Sequence, residues 1–114
     1  MITNQEAFTK VKDHLLSQMK RSFMIEGNRD FCLYRGPNNT KCAIGALIPD
    51  EIANSIGFPN TCTVFDVVHQ FPQVQDYLPD LGFADNLQRI HDDNDPVDWE
   101  EKLKEFALKY NLNY

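Results

Sequence analysis

The recurrence of apolar residues at steps of three and four is the feature that most constrains how this chain folds. In the C-terminal segment these residues are Trp99, Leu103, Phe106 and Tyr110. An α-helix places residues at this spacing on one face, where they can be buried together. Asp95 is followed by Pro96, a pair typical of a helix start, because aspartate caps free backbone N–H groups and the first turn tolerates proline. The pattern predicts a C-terminal helix capped by Asp95.

Local signals predict two helices in the first half of the chain. The run Thr3-Asn4-Gln5-Glu6 is a capping box, so a helix is expected to begin there. Its apolar stripe consists of Phe8, Val11, Leu15 and Met19. A second, short helix is expected after Pro49, where two carboxylates follow the proline, and Gly57 with Pro59 is expected to end it.

Two further helices are expected between these segments and the C-terminal helix. One carries Val64, Val67, Val68 and Phe71 on one side. Thr61 or Thr63 is expected to cap it, and Pro72 to end it. The other is marked by Phe83, Leu87 and Ile90. The stretch between them, from Pro72 to Gly82, leaves room for little more than a turn of helix.

A β-hairpin is expected between the first two helices. Residues 31–35 and 41–47 are apolar runs that flank the turn-forming sequence Gly36-Pro37-Asn38-Asn39-Thr40. The fold predicted from these elements is α+β and mostly α, with about five helices packed around one short antiparallel β-hairpin. A chain of 114 residues has the size of one compact domain, so residues 1–114 are expected to form a single globular domain.

The charge of the chain limits the partners it can bind. The net charge is −6, which argues against generic binding to DNA, RNA or anionic lipid, because phosphate affinity comes mainly from clustered Lys and Arg. Residues 1–45 carry seven basic and four acidic side chains, whereas residues 46–114 carry four basic and thirteen acidic ones. The first part is therefore net +3 and the second net −9. Either the first part attracts an anion that the second part repels, or both are ordinary solvated surfaces.

Cysteine usage and hydropathy predict a cytoplasmic protein. Three cysteines, Cys32, Cys42 and Cys62, cannot all pair within one chain, and the N-terminal segment lacks the apolar core of a signal peptide. Reduced thiols are therefore expected. Charged residues interrupt every apolar run before it reaches the length that spans a bilayer, so no membrane association is expected. No cofactor and no metal are expected either.

Tyr34, Arg35, Lys41 and His91 are the candidate ligand-binding residues. Arginine offers a planar fork of donors, lysine offers a point charge, and a glycine-containing turn exposes backbone N–H groups. This set is suited to a phosphate or carboxylate, and Tyr34 to the base of a nucleotide. The alternative is that the turn is simply solvated.

Residues with catalytic or metal-binding chemistry are present but not in established patterns. Cys42 has no second cysteine at the short spacing of a zinc site, so buried structural thiols are the simpler interpretation. Cys62 and His69 lie seven residues apart, about 10 Å along a helix, which is too far for direct proton transfer. The pair His91-Asp92 is typical of metal-dependent phosphohydrolases, which need further ligands on other helices. A small enzyme that depends on Cys42 or on the His91-Asp92 pair remains a third hypothesis.

One motif of this chain resembles a known family. It consists of Cys32-x-Tyr34-Arg35-Gly36 followed by the run KCAIGALIPDE at 41–51, and the similarity continues at 87–92 and around Trp99. The family comprises small uncharacterised proteins of bacteriophages and bacteria. The resemblance implies a small cytoplasmic accessory protein encoded by a phage, acting in the host cytoplasm. It implies no particular reaction.

Three functions follow from these observations. The first is a non-catalytic binding protein that modulates a host or defence protein through its charged surfaces, with its acidic part docking on a basic protein surface or imitating nucleic acid. The second is a protein that sequesters a small molecule or nucleotide at the segment from Tyr34 to Lys41. The third is the small enzyme described above. A homodimer is compatible with each of them.

Overall fold

The computed structural model describes residues 2–27, 29–56 and 63–114. Over these residues the chain forms six α-helices, two short β-strands and three short 3-10 helices. The helices are α1 (Asn4–Gln18), α2 (Ala43–Leu47), α3 (Asp50–Ile56), α4 (Val64–Gln70), α5 (Leu81–Asp93) and α6 (Trp99–Lys109). The strands are β1 (Phe23–Glu26) and β2 (Arg29–Cys32), and the 3-10 helices span Pro37–Asn39, Pro72–Tyr77 and Pro96–Asp98.

The capping signals place the first and fourth helices correctly. The Thr3 hydroxyl accepts a hydrogen bond from the Glu6 backbone N–H at 3.1 Å, and α1 begins at Asn4, directly after Thr3. Thr63 and Asp66 form a complete capping box at the start of α4. The alternative cap Thr61, and the expected helix end at Gly57 and Pro59, lie outside the described residues.

The predicted α+β fold, with its helices packed around a central hairpin, is wrong. The fold is mostly helical, and the expected second strand at 41–47 contains α2 instead. Cys42 caps α2, because its sulfur accepts a hydrogen bond from the Gly45 backbone N–H at 3.3 Å. An apolar run of this length is compatible with either a strand or a buried helix, so periodicity alone could not decide between them.

The β-structure that is present lies earlier in the chain. Strands β1 and β2 pair antiparallel, with Phe23 opposite Cys32 and Glu26 opposite Arg29. Gly27, in the connection, has φ of 65°, a conformation that favours glycine. The ribbon makes its extensive contacts between its own two strands, whereas the helices make theirs with one another. The buried core of the described residues is therefore mainly helical.

The hydrophobic core is built by α1, α2, α5 and α6. Trp99 and Phe8 are its largest fully buried side chains, and the Phe8 and Phe106 rings stack at 5.9 Å between centroids. The stripe predicted for α1 is buried at Phe8, Val11 and Leu15, but Met19 is 46% exposed. Met19 lies outside the hydrophobic core because α1 ends one residue before it and the chain turns at Met19, where φ is 49°.

The C-terminal helix begins differently from the prediction. Asp95 precedes the 3-10 helix Pro96–Asp98, and its side chain makes no capping hydrogen bond. The Asp98 N–H instead donates to the Asp95 carbonyl at 2.9 Å, so a tight turn leads into α6. Among the described residues, no helix is both long and apolar enough to cross a lipid bilayer.

Candidate binding groove

A surface groove of about 440 Å³ lies where the end of α1, the turn after Gly36 and the start of the C-terminal segment meet. We call it the basic groove. Its lining residues are Met19, Lys20, Arg21, Phe23, Pro37, Asn38, Thr40 and Pro96. Its volume falls within the range of small-ligand pockets, roughly 300–1,000 Å³. The groove combines two cations with several apolar side chains.

The first wall of the basic groove follows the end of α1. The chain leaves the helix at Met19, whose N–H still donates to the Leu15 carbonyl at 2.8 Å. The next residues run in an irregular conformation into β1, which exposes the Lys20 side chain. The Arg21 guanidinium lies over the Phe23 ring, 5.1 Å from its centroid. A guanidinium stacked in this way presents its charge next to an apolar surface.

The second wall is the turn from Gly36 to Thr40. The Gly36 N–H donates to the Thr40 carbonyl at 2.9 Å, and the Thr40 hydroxyl donates to the Pro37 carbonyl at 2.8 Å. Asn38 and Asn39 have φ of 56° and 63°, in the left-handed region that asparagine adopts more readily than most residues. The turn is closed by its own hydrogen bonds and holds the exposed Asn38 at the groove.

The two walls contact each other directly. A Cβ atom added to Gly36 would lie 2.4 Å from the Ser22 hydroxyl and 2.6 Å from the Thr40 hydroxyl, so a larger residue at this position would require these hydroxyls to move. Gln18 joins the walls a second time. Its side chain accepts from the Lys41 N–H at 2.9 Å and donates to the Lys41 carbonyl at 3.0 Å. These contacts fix the width of the groove.

The first wall is also anchored to α5 in the core. The Ser22 N–H donates to Nε2 of His91 at 2.9 Å, and the ring Nδ1 lies 2.8 Å from the Asp92 carboxylate. A backbone N–H can only donate, so Nε2 is the acceptor and Nδ1 carries the proton donated to Asp92. The Ser22 carbonyl then accepts from the Leu33 N–H at 2.8 Å. The His91 side chain is fully buried and stacks on Trp99, with 5.5 Å between ring centroids.

Of the four residues expected to bind a ligand, the structure brings Arg35 and Lys41 together. They form an antiparallel bridge across the turn, and both side chains contact the same carboxylate oxygen of Asp50. Lys41 Nζ lies 3.3 Å from that oxygen. Arg35 also donates from Nη2 to the carbonyls of Gly45 and Ile48. The chain's own carboxylate therefore occupies the position expected for an anionic ligand.

Tyr34 and His91 lie in the interior. Tyr34 is 3% exposed and its carbonyl accepts from the Cys42 N–H at 3.4 Å, while His91 is held by Ser22 and Asp92 as described above. None of the four residues lines the basic groove. Their assignment as ligand-binding residues stays a prediction.

Asp50 remains ionised in this arrangement. Hydrogen bonds from Arg35, and secondarily from Lys41, lower the pKa of its carboxyl below the ordinary value. The carboxylate is solvent-exposed, so the ion pairs are of the surface type that contributes little to the free energy of folding. Their main effect is that the Asp50 carboxylate balances positive charge on Arg35 and Lys41. Lys20, by contrast, is an exposed cation of the basic groove.

Cys42 has the properties of a structural residue. It is 1% exposed, and burial raises the pKa of its thiol to about 12. A thiol with this pKa is protonated at neutral pH and is a poor nucleophile. Of the pair Cys62 and His69, His69 is exposed on α4, and Cys62 lies outside the described residues.

The described residues contain no group of three or more His, Cys, Asp or Glu side chains placed to hold a metal ion. Both ring nitrogens of His91 already contact protein groups, Ser22 and Asp92. The His91-Asp92 pair is therefore used to orient a backbone segment. Among the described residues, the pair connects α5 to the first groove wall at Ser22.

Sequence reasoning did not single out the residues that line the first wall. One local signal was available, since Lys20-Arg21 is a dibasic pair that follows an amphipathic helix and precedes an aromatic residue. A glycine-asparagine pair after Glu26 also indicated the β1–β2 hairpin. Pro96 had no such signal, because it joins the groove only through tertiary packing.

The chain matches no family model, no curated protein and no solved structure.

Proposed function

We propose that this protein is a non-catalytic binding protein that holds a segment of a partner protein in the basic groove. The observation that carries the proposal is the presence of Lys20 and Arg21 beside exposed or half-exposed apolar residues in one concavity. Methionine, aromatic residues and arginine are enriched in protein interfaces relative to the rest of the surface. Met19, Arg21 and Phe23 supply these three types.

The state of the chemically reactive groups supports binding over catalysis. The Cys42 thiol is buried with its pKa raised to about 12, and the His91 imidazole is enclosed by its hydrogen-bonding partners. Neither group faces the basic groove. A small enzyme built on them would need its substrate to reach the interior of the helical domain.

The partner we propose is a host or defence protein. This choice depends on the resemblance of the motif at 32–51 to small phage and bacterial proteins. The charge asymmetry supports it physically, because the basic groove belongs to an otherwise acidic chain and favours association with a protein that presents acidic groups locally.

Site-specific cross-linking tests this function. A photo-crosslinking amino acid replaces the exposed groove residue Asn38 in one variant and the exposed residue Asp76, outside the groove, in another. Both are irradiated in a bacterial lysate. We expect one protein to be captured from position 38 and not from position 76. With that protein purified, the Lys20→Glu variant should bind at least about tenfold more weakly, and Lys10→Glu, an equal change of charge on exposed α1, should not. Equal capture at both positions would contradict the proposal.

A second candidate is a protein that sequesters a small anionic molecule such as a nucleotide. The size of the basic groove and the Arg21–Phe23 pair favour it, because an aromatic ring and a guanidinium can contact a base and a phosphate. A ligand at about 100 times its Kd adds about 2.7 kcal/mol to the free energy of unfolding. Thermal denaturation with and without nucleotides therefore tests this candidate, with the corresponding uncharged nucleosides as the control.

A further inference from the structure

The character of the basic groove limits which segment of a partner can occupy it. Met19, Lys20, Pro37 and Asn38 are all exposed, so the groove is open at the surface along both walls. Small-molecule sites bury most of the surface of their ligand, which an open groove does not do. An extended peptide can lie along such a groove and bury one side of its chain.

The charges around the groove are unevenly distributed. Lys20 and Arg21 lie on the wall that follows α1. The lining residues on the other side, Pro37, Asn38, Thr40 and Pro96, carry no charge. An acidic group of the ligand is therefore favoured on the Lys20 side, and an apolar group on the Pro96 side.

We infer that the basic groove binds an acidic peptide segment that carries an apolar anchor residue, with a carboxylate against Lys20 and the anchor on the Met19–Pro96 surface. This inference rests on the proposed function and names the chemistry of the partner. Nucleic acid is disfavoured because the chain is net −6 and the groove contributes two cations. Met19, which is 46% exposed, and Pro96 provide the apolar surface that such an anchor would cover.

Three synthetic peptides test the inference by fluorescence anisotropy with the full chain. The first alternates Glu and Asp with a central Leu-Phe pair, the second replaces that pair with Ser-Ser, and the third replaces the acidic residues with Lys. We expect the first to bind and the other two to bind at least about tenfold more weakly. Raising the ionic strength from about 0.05 M to 0.5 M should weaken binding of the first, because the groove cations are exposed.

Matched variants assign the binding to the groove. Lys20→Glu is expected to weaken binding of the first peptide at least about tenfold, and Lys10→Glu to change it less than about twofold. Both side chains are exposed, so the fold should tolerate both changes, and thermal denaturation of each variant checks this. Equal affinity for the first and second peptides, or unchanged affinity in Lys20→Glu, would overturn the inference.

The outcome is separable from that of the proposed function. If the peptides do not bind but a single partner is still captured from position 38, the inference fails and the proposed function stands. If neither occurs, both fail. The groove could instead be occupied by a second copy of the chain, and sedimentation of the wild-type protein tests this. Self-association that Lys20→Glu abolishes would assign the groove to that second copy and overturn the peptide inference.

Discussion

The backbone N–H of Ser22 donates a 2.9 Å hydrogen bond to Nε2 of His91, a residue 69 positions later in the chain. The same imidazole donates from Nδ1 to Asp92 and stacks on Trp99. One buried side chain thus connects the first wall of the basic groove to α5 and, through Trp99, to the start of α6. The position of the groove depends on this core contact as well as on the surface residues.

Replacing His91 with phenylalanine should destabilise the protein. The ring would still fill the space against Trp99, but the buried Ser22 N–H would lose its acceptor, which typically costs about 1–3 kcal/mol. Urea denaturation measures the change in the free energy of unfolding. His69→Phe is the matched control, because His69 is exposed on α4 and its replacement should change stability by less than about 0.5 kcal/mol. Equal stability of the two variants would contradict the role assigned to His91.

Gly45→Ala should destabilise the protein although glycine is a poor helix former. Alanine has the better helix propensity by about 1 kcal/mol, but its Cβ would lie 2.1 Å from the Tyr34 carbonyl oxygen, which belongs to the backbone. Relieving such an overlap requires backbone movement, so we expect a net loss of about 1–3 kcal/mol. Thermal or urea denaturation measures it.

Gly82→Ala is the comparison for this substitution. Gly82 is also helical, but its nearest atom to an added Cβ is the Asp80 carboxylate oxygen at 3.3 Å, the end of a side chain. We expect a change of less than about 1 kcal/mol. A Gly45→Ala variant that is as stable as Gly82→Ala would show that α2 does not pack against Tyr34 as described.

The Cys42 thiol should be unreactive in the native protein. A thiol with a pKa of about 12 is thiolate in about one molecule in ten thousand at pH 8, and the side chain is 1% exposed. In a variant with Cys32→Ser and Cys62→Ser, we expect Ellman's reagent to label Cys42 only after denaturant is added. Adding Asn38→Cys to this background provides an exposed thiol as the control, which should react at once. Rapid labelling of Cys42 in the native protein would refute its burial.

Stability should fall as the pH is lowered through the range in which His14 titrates. His14 is half-buried, its Nε2 donates to the Lys41 carbonyl at 3.1 Å, and burial is the main cause that lowers its pKa. The neutral form is thus favoured in the folded state. Its contribution is fully present above the unfolded pKa of about 6.5 and is lost as the pH falls through the lower folded value.

His14→Gln tests this assignment. The glutamine amide can still donate to the Lys41 carbonyl but does not titrate, so unfolding midpoints of this variant should fall less than those of the wild type between pH 7.5 and 5. His69→Gln, the same change at an exposed position on α4, is the matched control. Identical slopes for wild type and His14→Gln would exclude His14 as the source.

Much of the helical structure could be predicted because its signals are local. The caps at Thr3 and Thr63 and the stripe from Phe83 to Ile90 each lie within a few turns of chain, and the structure has helices at all three. The run at 41–47 was predicted wrongly as a strand. Its helix depends on the Cys42 thiol as a cap and on the close approach of Gly45 to Tyr34, two features that apolar periodicity does not encode.

The candidate site was less predictable than the fold. Arg35 and Lys41 are close together, as their spacing suggested, but α3 supplies Asp50 as their partner. The exposed cation of the groove is instead Lys20, in a segment whose conformation is set by Ser22 and His91. The sequence shows which charged side chains are present, but only the packing shows which of them already pair with an opposite charge.

The amino-acid sequence by itself determined where α1, α3 and α4 begin and which faces of α1 and α5 are buried, because caps and apolar spacing act over a few residues. Tertiary structure alone decided that Met19 and Pro96 meet in one groove and that His91 supports it from the core. The physical reason is that these contacts join residues about 70 positions apart, whose proximity follows from how the helices pack and leaves no trace in local patterns.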